Sequence, residues 1–362
     1  MTLPVYEIRI YGATSSQVVG DVVSFNSREG RNTKTDVYSA STASFTFRDP
    51  SALFAEAIIG CYTTIRINNQ NVFAGYITNI QYNYGIVSNE DTATISLEGF
   101  LAFMGRGYLN AFTLTGTTTG AQAQRIGTAL SGSAKTISNI STKSLTDTSS
   151  YSGAAQNLLT TLVAMEQGRL LEGGAQLYFL GRDYLQDPTA NPYNFYDFKF
   201  TDVLPVTSGI TYDAVEFANL TDNYYTQITV TPASVAPQFA GTGARNLQIS
   251  TYDPTITQAD NLADYMLAEF TSNTSAPVSI STRNSLAWTY DPADMVSNGP
   301  IGWRLPITFR GTTYQSVIEG WSISGTPDDV RYTFMVSDYE ENNFLKLNDS
   351  VYGRLDYNKL GF

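Results

Sequence analysis

Residues Asp49–Tyr76, DPSALFAEAIIGCYTTIRINNQNVFAGY, and Asp291–Trp321, DPADMVSNGPIGWRLPITFRGTTYQSVIEGW, follow one plan. In both, an Asp-Pro pair stands ten residues ahead of an Ile-Gly pair, Ile59-Gly60 in the first and Ile301-Gly302 in the second. An alternating strand follows, then a short polar turn, then a second strand ending in Gly-aromatic, Gly75-Tyr76 and Gly320-Trp321. A chain that carries one unit twice must fold into something that houses both copies. Asp-Pro suits a helix start, because Asp caps free amides while Pro sets φ at the first helical position. The glycines permit the positive φ or sharp bend that a small barrel needs at its corners.

The 362 residues suffice for two or three domains, and 42% hydrophobic with 15% charged is the balance of a globular chain. The 24 Tyr and 19 Phe, among many Thr, favour pleated sheet. With 21 basic against 33 acidic residues the net charge is −12, which repels phosphate backbones and anionic membranes, so specific nucleic-acid binding is not expected. The one cysteine, Cys61, rules out an intrachain disulfide and a cysteine-built zinc site, and reads as a small buried hydrophobe. No histidine is present, which removes the commonest general base and metal ligand and any Ser-His-Asp or Cys-His arrangement. MTLPVYEIRIYG is not a secretory signal and no apolar run is long enough to span a bilayer, so a soluble product made in the cytoplasm, without stable membrane insertion, is expected.

From Val5 to Phe47 the pattern is of half-buried strands, with Phe45 and Phe47 on one face. A short helix is expected over 51–58 and then the first repeated hairpin, with Ile65, Ile67, Phe73 and Ile77 in the core; Ile95 and Leu97 alternate in the strand that closes this unit near residue 100. Over 111–205 the pattern turns α/β. Ser152 is the expected cap of a helix carrying Ala155, Leu158, Leu159, Leu162 and Val163 on one face and ending at Gly168; a second helix is expected over 121–130, strands over AQLYFLGR and NFYDFKF, and loop over 136–150. Strands resume at ITYDAVEF and YYTQITVTP. After a Gly- and Pro-containing stretch at 232–244 comes a helix over 257–271, with Thr257 and Asp260 as its capping box and Ala259, Leu262, Ala263, Met266, Leu267 and Phe270 as its apolar stripe. The second unit ends in RYTFMVS, where Tyr332, Phe334 and Val336 alternate with Arg331, Thr333 and Met335.

No phosphate loop, dinucleotide fingerprint, EF-hand or zincin motif occurs. Three acid pairs, Asp328-Asp329, Glu340-Glu341 and Asp213 with Glu216, flank strands or turns, where solvated surface charge is the ordinary reading; glycoside hydrolysis needs two carboxylates opposed across a cleft. Tyr82, Tyr84, Tyr224-Tyr225 and the 193–196 run YNFY suit either packing between sheets or an interface or sugar-stacking patch. An outer-membrane barrel, suggested by the tyrosines, the acidity and the terminal Phe362, sits badly with two amphipathic helices and short strands. The residues therefore point to no catalytic, cofactor or metal site.

Five passages taken in order, DPSALFAEAIIGCYTTIRI with FAGYI, TISLEGFLAFMGR, AAQNLLTTLVAMEQGRLLEGGAQLYFLGR, TQADNLADYMLAEF and VIEGWSISGTPDDVRYTFMVSD, make the chain resemble the bacteriophage tail hub family, the baseplate hub or tail-tip minor tail proteins. The resemblance implies a mainly β fold: a tube-like β-barrel at 1–110, an α/β insertion domain at 111–205, a second barrel at 206–349 with the helix 257–271 packed on the insertion, and a tail at 350–362. It implies a virion protein without catalysis: a homotrimer forming a pseudo-six-fold ring that continues the tail tube. Its partners would be the adjoining tail tube or distal tail ring, the tape measure protein, and tip or fibre proteins, with DNA passing through the lumen. A carbohydrate-binding adhesin or glycan hydrolase on the virion surface is the alternative.

Overall fold

The computed structural model describes residues 4–48, 58–86, 90–131, 136–173, 176–182, 184, 199–202, 209–218, 224–270, 275–284 and 290–338. The Asp49-Pro50 pair, nearly all of the helix expected over 51–58, the 193–196 aromatic run, Glu340-Glu341 and the 350–362 tail lie outside the described residues.

The first unit comprises β1 (Tyr6–Tyr11), β2 (Ser16–Val19), β3 (Val22–Gly30), β4 (Ser39–Arg48), β5 (Tyr62–Ile67), β6 (Gln70–Asn83) and β7 (Thr92–Glu98), followed by α1 (Phe100–Arg106). The middle segment holds β8 (Tyr108–Thr113), α2 (Thr119–Ser131), β9 (Thr136–Ile140), β10 (Ser150–Ala154), α3 (Ala155–Glu166), β11 (Arg169–Gly173) and β12 (Gln176–Leu180). Next come β13 (Phe200–Thr201), β14 (Ile210–Thr211), β15 (Ala214–Ala218), β16 (Gln227–Pro232), β17 (Gln238–Gly241), β18 (Asn246–Thr251) and α4 (Ile256–Phe270). The second unit closes the chain with β19 (Ala276–Arg283), α5 (Pro292–Ser297), β20 (Arg304–Phe309), β21 (Thr312–Thr326) and β22 (Asp329–Asp338).

The two hairpins of the repeat are equivalent at the level of single hydrogen bonds. Gly60 N donates to Ile77 O at 2.7 Å and Ile77 N to Cys61 O at 2.9 Å; Gly302 N donates to Ile318 O at 2.7 Å and Ile318 N to Trp303 O at 2.9 Å. Gly60 and Gly302 both have positive φ, 92° and 85°, as the bend ahead of each strand requires. The next strand bulges just after each isoleucine, between Ile77 and Asn79 against β7 and between Ile318 and Gly320 against β22. This register corrects one part of the sequence alignment. Ile77 matches Ile318, so Gly75 lies before the matched position and Gly320 after it, and the two Gly-aromatic pairs are not counterparts. Of the two Asp-Pro pairs, the second caps as expected: Asp291 Oδ1 accepts from Ala293 N at 2.8 Å and Pro292 opens α5.

Both units lie in one sheet, ordered β14-β13-β20-β21-β3-β4-β7-β6-β5-β1-β2, with β22, β19 and β15 branching from β21. Two separate closed barrels were expected; among the described residues the pairing joins the units and no barrel closes. The reason is the length of β21. One of its edges pairs with β22 from Ser316 to Thr326, while the other pairs with β20 along its first half and with β3 along its second.

The expected alternation places Phe45, Phe47, Ile65, Ile67, Phe73, Ile77, Ile95, Leu97, Tyr332, Phe334 and Val336 in the core, and α3 adds Leu158, Leu159, Leu162 and Val163 to the same cluster. Each such side chain contributes about 1.5–3 kcal/mol by burial. Cys61 is only partly buried at its edge. Ser152 does not cap α3; it lies in β10 and its Oγ accepts from Ala111 N at 3.0 Å, while the helix stops at Glu166, two residues before Gly168, with Gln167 in the left-handed region at φ 51°. The 136–150 stretch is not all loop, since β9 pairs in parallel with β12.

The apolar stripe of α4 closes on the sheet β17-β16-β18, forming a second cluster of Ile228, Val230, Ala240, Ala259, Ala263 and Met266. Toward 111–205 the helix places Gln258 Nε2 on Leu145 O at 2.8 Å and receives the Arg182 guanidinium over the Tyr265 ring, 4.3 Å from its centroid. Thr255, not Thr257, caps the helix, accepting from Gln258 N at 3.2 Å. Only the Thr255 half of a capping box forms, because the Gln258 side chain is bound to Leu145 and Asp253 instead. No helix among the described residues is long and apolar enough to cross a membrane.

Candidate functional site at the join of the repeats

Where β3 meets β21, Gly30 stands opposite Gly320. A Cβ on Gly320 would lie 2.7 Å from the carbonyl oxygens of both Arg31 and Glu29, and one on Gly30 would lie 2.5 Å from Glu319 O. The backbones cross too closely for any side chain, which is why an otherwise apolar run carries glycine here. The neighbours of this crossing are Glu29, Arg31, Glu319 and Trp321, and they meet the β11 side of the middle segment.

Glu319 is fully buried and bound on both oxygens. Arg31 Nε donates to Oε2 at 2.7 Å; Arg169 Nη2 and Ser337 Oγ donate to Oε1 at 3.1 and 2.7 Å. Desolvation alone would raise its pKa, but the Arg169 and Arg31 guanidiniums overcome that and bring it down to about 2. First unit, middle segment and second unit are thus tied through one carboxylate. Lys34 makes a second tie, donating to Glu269 O at the end of α4 at 2.7 Å and to Asp338 Oδ1 at 3.0 Å.

Beside this ion cluster stand two acids without such partners. Glu29 Oε1 accepts from Glu172 N at 2.7 Å, while Glu172 accepts from Ser41 N at 2.6 Å and Leu101 N at 2.8 Å. Desolvation, then the nearby Glu172 carboxylate, raise the Glu29 pKa well above the ordinary glutamate value; desolvation lifts Glu172 to about 7 in spite of its amide donors. Both acids border a cavity of about 390 Å³, walled by β6, α5 and the β11–β12 hairpin, with Trp303 and Trp321 on its lining.

The acid pairs singled out in the sequence do not converge here. Asp213 binds Arg283 and Arg331; burial raises its pKa, but those hydrogen bonds outweigh it and hold the carboxyl low. Its companion Glu216 accepts from Ser279 Oγ at 3.2 Å, and Asp328-Asp329 lie at the exposed β21–β22 turn. Among the described residues no group of three or more Cys, Asp or Glu forms a metal-binding cluster. Of the tyrosines, Tyr225 packs edge-on against Phe270, whereas Tyr82 and Tyr84 stack on each other, exposed, with ring centroids 6.4 Å apart. Glu29, Arg31, Arg169, Glu172 and Glu319 escaped the sequence reading. A signal for two of them was present, since Glu29 falls on the buried face of β3 and Glu319 interrupts the apolar run VIEGW.

No family model and no curated protein matches the sequence. Solved structures do match. The tail protein from Neisseria meningitidis MC58 aligns over 91% of this chain and 96% of its own, with a TM-score of 0.63 at 14% identity. The chain has the fold of bacteriophage tail proteins. The 43 kDa tail protein of prophage MuSo2 from Shewanella oneidensis aligns over 92% of this chain and 97% of its own, at TM-score 0.59 and 13% identity. The c3393 protein of E. coli, a component of the type VI secretion system with structural similarity to T4 tail proteins gp27 and gp5, aligns over 92% of this chain and 77% of its own, at TM-score 0.55 and 12% identity. The tail-like fold implied by the resemblance is thus found at identities of 12% to 14%.

Proposed function

We propose that this chain is a structural hub of a phage tail tip or baseplate, forming a ring that continues the tail tube and connects it to the host-facing tip or fibres. One observation carries the reading: a chain with a tail-protein fold presents the same hairpin twice in one sheet, with matching Gly60–Ile77 and Gly302–Ile318 hydrogen bonds. In this reading the two units act as tandem tube-like modules. Three chains then supply six modules, which reconciles a six-fold tube with a three-fold tip. Sheet edges such as β2 and β15, each paired on one side only among the described residues, pair with the next copy around the ring. The neighbours are the distal tail ring, the tape measure protein and tip or fibre proteins; DNA traverses the lumen without specific contacts, and the protein, made in the host cytoplasm, resides in the virion. It performs no catalysis, and its buried charges hold the units together. Imaging of the assembled particle tests this: three copies in a closed ring at the end of the tube are expected, and six copies, or one copy bound peripherally, overturn it.

A further inference from the structure

The repeat extends beyond the two hairpins to the strands around them. β7 pairs with β6 as β22 pairs with β21, so that Asn79–Ser96 and Ile80–Ile95 correspond to Gly320–Met335 and Trp321–Phe334. β4 lies outside β7 as β19 lies outside β22, and each of these pairs is bridged by two hydroxyls 2.9 Å apart, Thr46 with Thr94 and Ser281 with Thr333. β3 and β15 come next, with Phe25 opposite Phe45 and Val215 opposite Ile280. Strand for strand, β15 answers to β3, and the far half of β6 to the far half of β21.

One joint has no counterpart within the chain. The outer edge of β3 is taken by β21, residues 25–30 against 320–325. The matching edge of β15 meets no strand among the described residues, and beyond Ile77 the β5 side of β6 meets none either. The side chains along these two edges are apolar and incompletely covered. Ile323, inside the β3–β21 joint, is 1% exposed; Tyr82, its counterpart on β6, is 45% exposed and stacks on the exposed Tyr84. Phe25 and Ser27 of β3 are buried, whereas their counterparts Val215 and Phe217 are only partly so.

We propose that β15 of one copy of the chain adds antiparallel to the open edge of β6 of the next copy, in the register that the β3–β21 joint sets. Carried over residue by residue, that register puts Tyr84 opposite Val215, Asn83 opposite Glu216, Tyr82 opposite Phe217 and Gln81 opposite Ala218. Tyr82 with Phe217 and Tyr84 with Val215 share the apolar face, as aromatic–aromatic and aromatic–β-branched pairs, combinations that stabilise antiparallel strands. The other face carries Asn83 and Glu216, with no like charges opposed. The joint is looser than the intrachain one. Asn79 stands where the second unit has Gly320, and Thr78 where it has Glu319, so neither the glycine crossing nor the buried ion cluster recurs. The contact is heterologous, one patch meeting a different patch, and such contacts repeated about an axis make a ring. The inference rests on the ring reading above and names the strands that make its contacts.

Disulfide trapping with the full chain, carrying Cys61→Ser, tests it. Asn83→Cys and Glu216→Cys chains, both substituted at exposed positions, are mixed at about 1 mM in a glutathione redox buffer. Directly opposed residues have Cα atoms about 4.5–5.5 Å apart, within disulfide reach, whereas a diagonal partner two residues away lies about 7–8 Å off. Asn83→Cys is therefore expected to link to Glu216→Cys at least about tenfold faster than to Ala214→Cys or Ala218→Cys. Equal rates for all three, or no mixed disulfide, overturn the pairing. A chain carrying both Asn83→Cys and Glu216→Cys is expected to give covalent species that stop at three copies. Trimers in sedimentation that lack the mixed link overturn the β6–β15 joint and leave the ring; register-specific links running past three copies uphold the joint and overturn the ring. Should Cys61→Ser fail to fold, as judged by circular dichroism, hydrogen exchange of the unsubstituted chain decides. Amides in 79–84 and 214–218 are expected to exchange at least about tenfold more slowly at about 1 mM than at about 10 μM, and unchanged exchange there overturns the pairing.

Discussion

Arg31 Nε and Glu319 Oε2 meet at 2.7 Å across 288 positions of sequence, inside the junction where the two copies of the repeat share a sheet. The pair is shielded, with side-chain exposures of 10% and 0%, so solvent screens it little. Removing one member strands the others. Glu319→Gln leaves the Arg31 and Arg169 guanidiniums without their anion and is expected to cost about 3–5 kcal/mol in chemical denaturation.

The same junction sets a pH dependence with two arms. Glu319, brought down to about 2, contributes stability that is complete above the ordinary value of 4.5 and is lost as pH falls from there through about 2. Glu29 and Glu172 act the other way. Their folded pKa values are raised, so the unfolded chain releases their protons first, and stability falls as pH rises from 4.5 through about 7 for Glu172 and further for Glu29. Glu29→Gln mimics the protonated acid and keeps an acceptor for Glu172 N. It is expected to raise Tm at about pH 8 and leave it unchanged at about pH 4; a Tm shift of equal size at both contradicts the assignment.

Two glycine substitutions separate steric from conformational cost. Gly320→Ala places a methyl 2.7 Å from two backbone carbonyls and is expected to break the β3–β21 crossing, lowering soluble yield or Tm severely. At Gly60 a Cβ meets nothing within 4 Å, but φ is 92°. Gly60→Ala is therefore expected to cost only about 1–2 kcal/mol, measurable by urea titration.

The second apolar cluster, on α4 and β16–β18, stands apart from the main core. Met266→Ala is expected to cost about 2–5 kcal/mol and to speed hydrogen exchange within 227–270 more than in β4 or β7.

Purified host cell wall incubated with the protein is expected to release no soluble fragments. Release that disappears on substituting one Asp or Glu refutes the structural reading and restores the hydrolase alternative.

The sequence by itself determined what is periodic and local. Alternation placed Phe45, Ile65, Ile95 and Phe334 inside, and the recurrence of Ile59-Gly60 at Ile301-Gly302 announced two equivalent hairpins, because period-two burial and a positive φ are properties of a few consecutive residues. The lack of histidine likewise excluded whole classes of chemistry before any fold was known. Only the tertiary structure decided which edges meet. That β21 is shared between β20 and β3, that Gly320 answers to the Arg31 and Glu29 carbonyls, and that Glu319 finds guanidiniums while Glu29 finds none are matters of residues far apart in the chain. A strand pattern states which face is buried, not which strand lies beside it. The value of a buried charge, in turn, depends on partners that only chain crossing supplies.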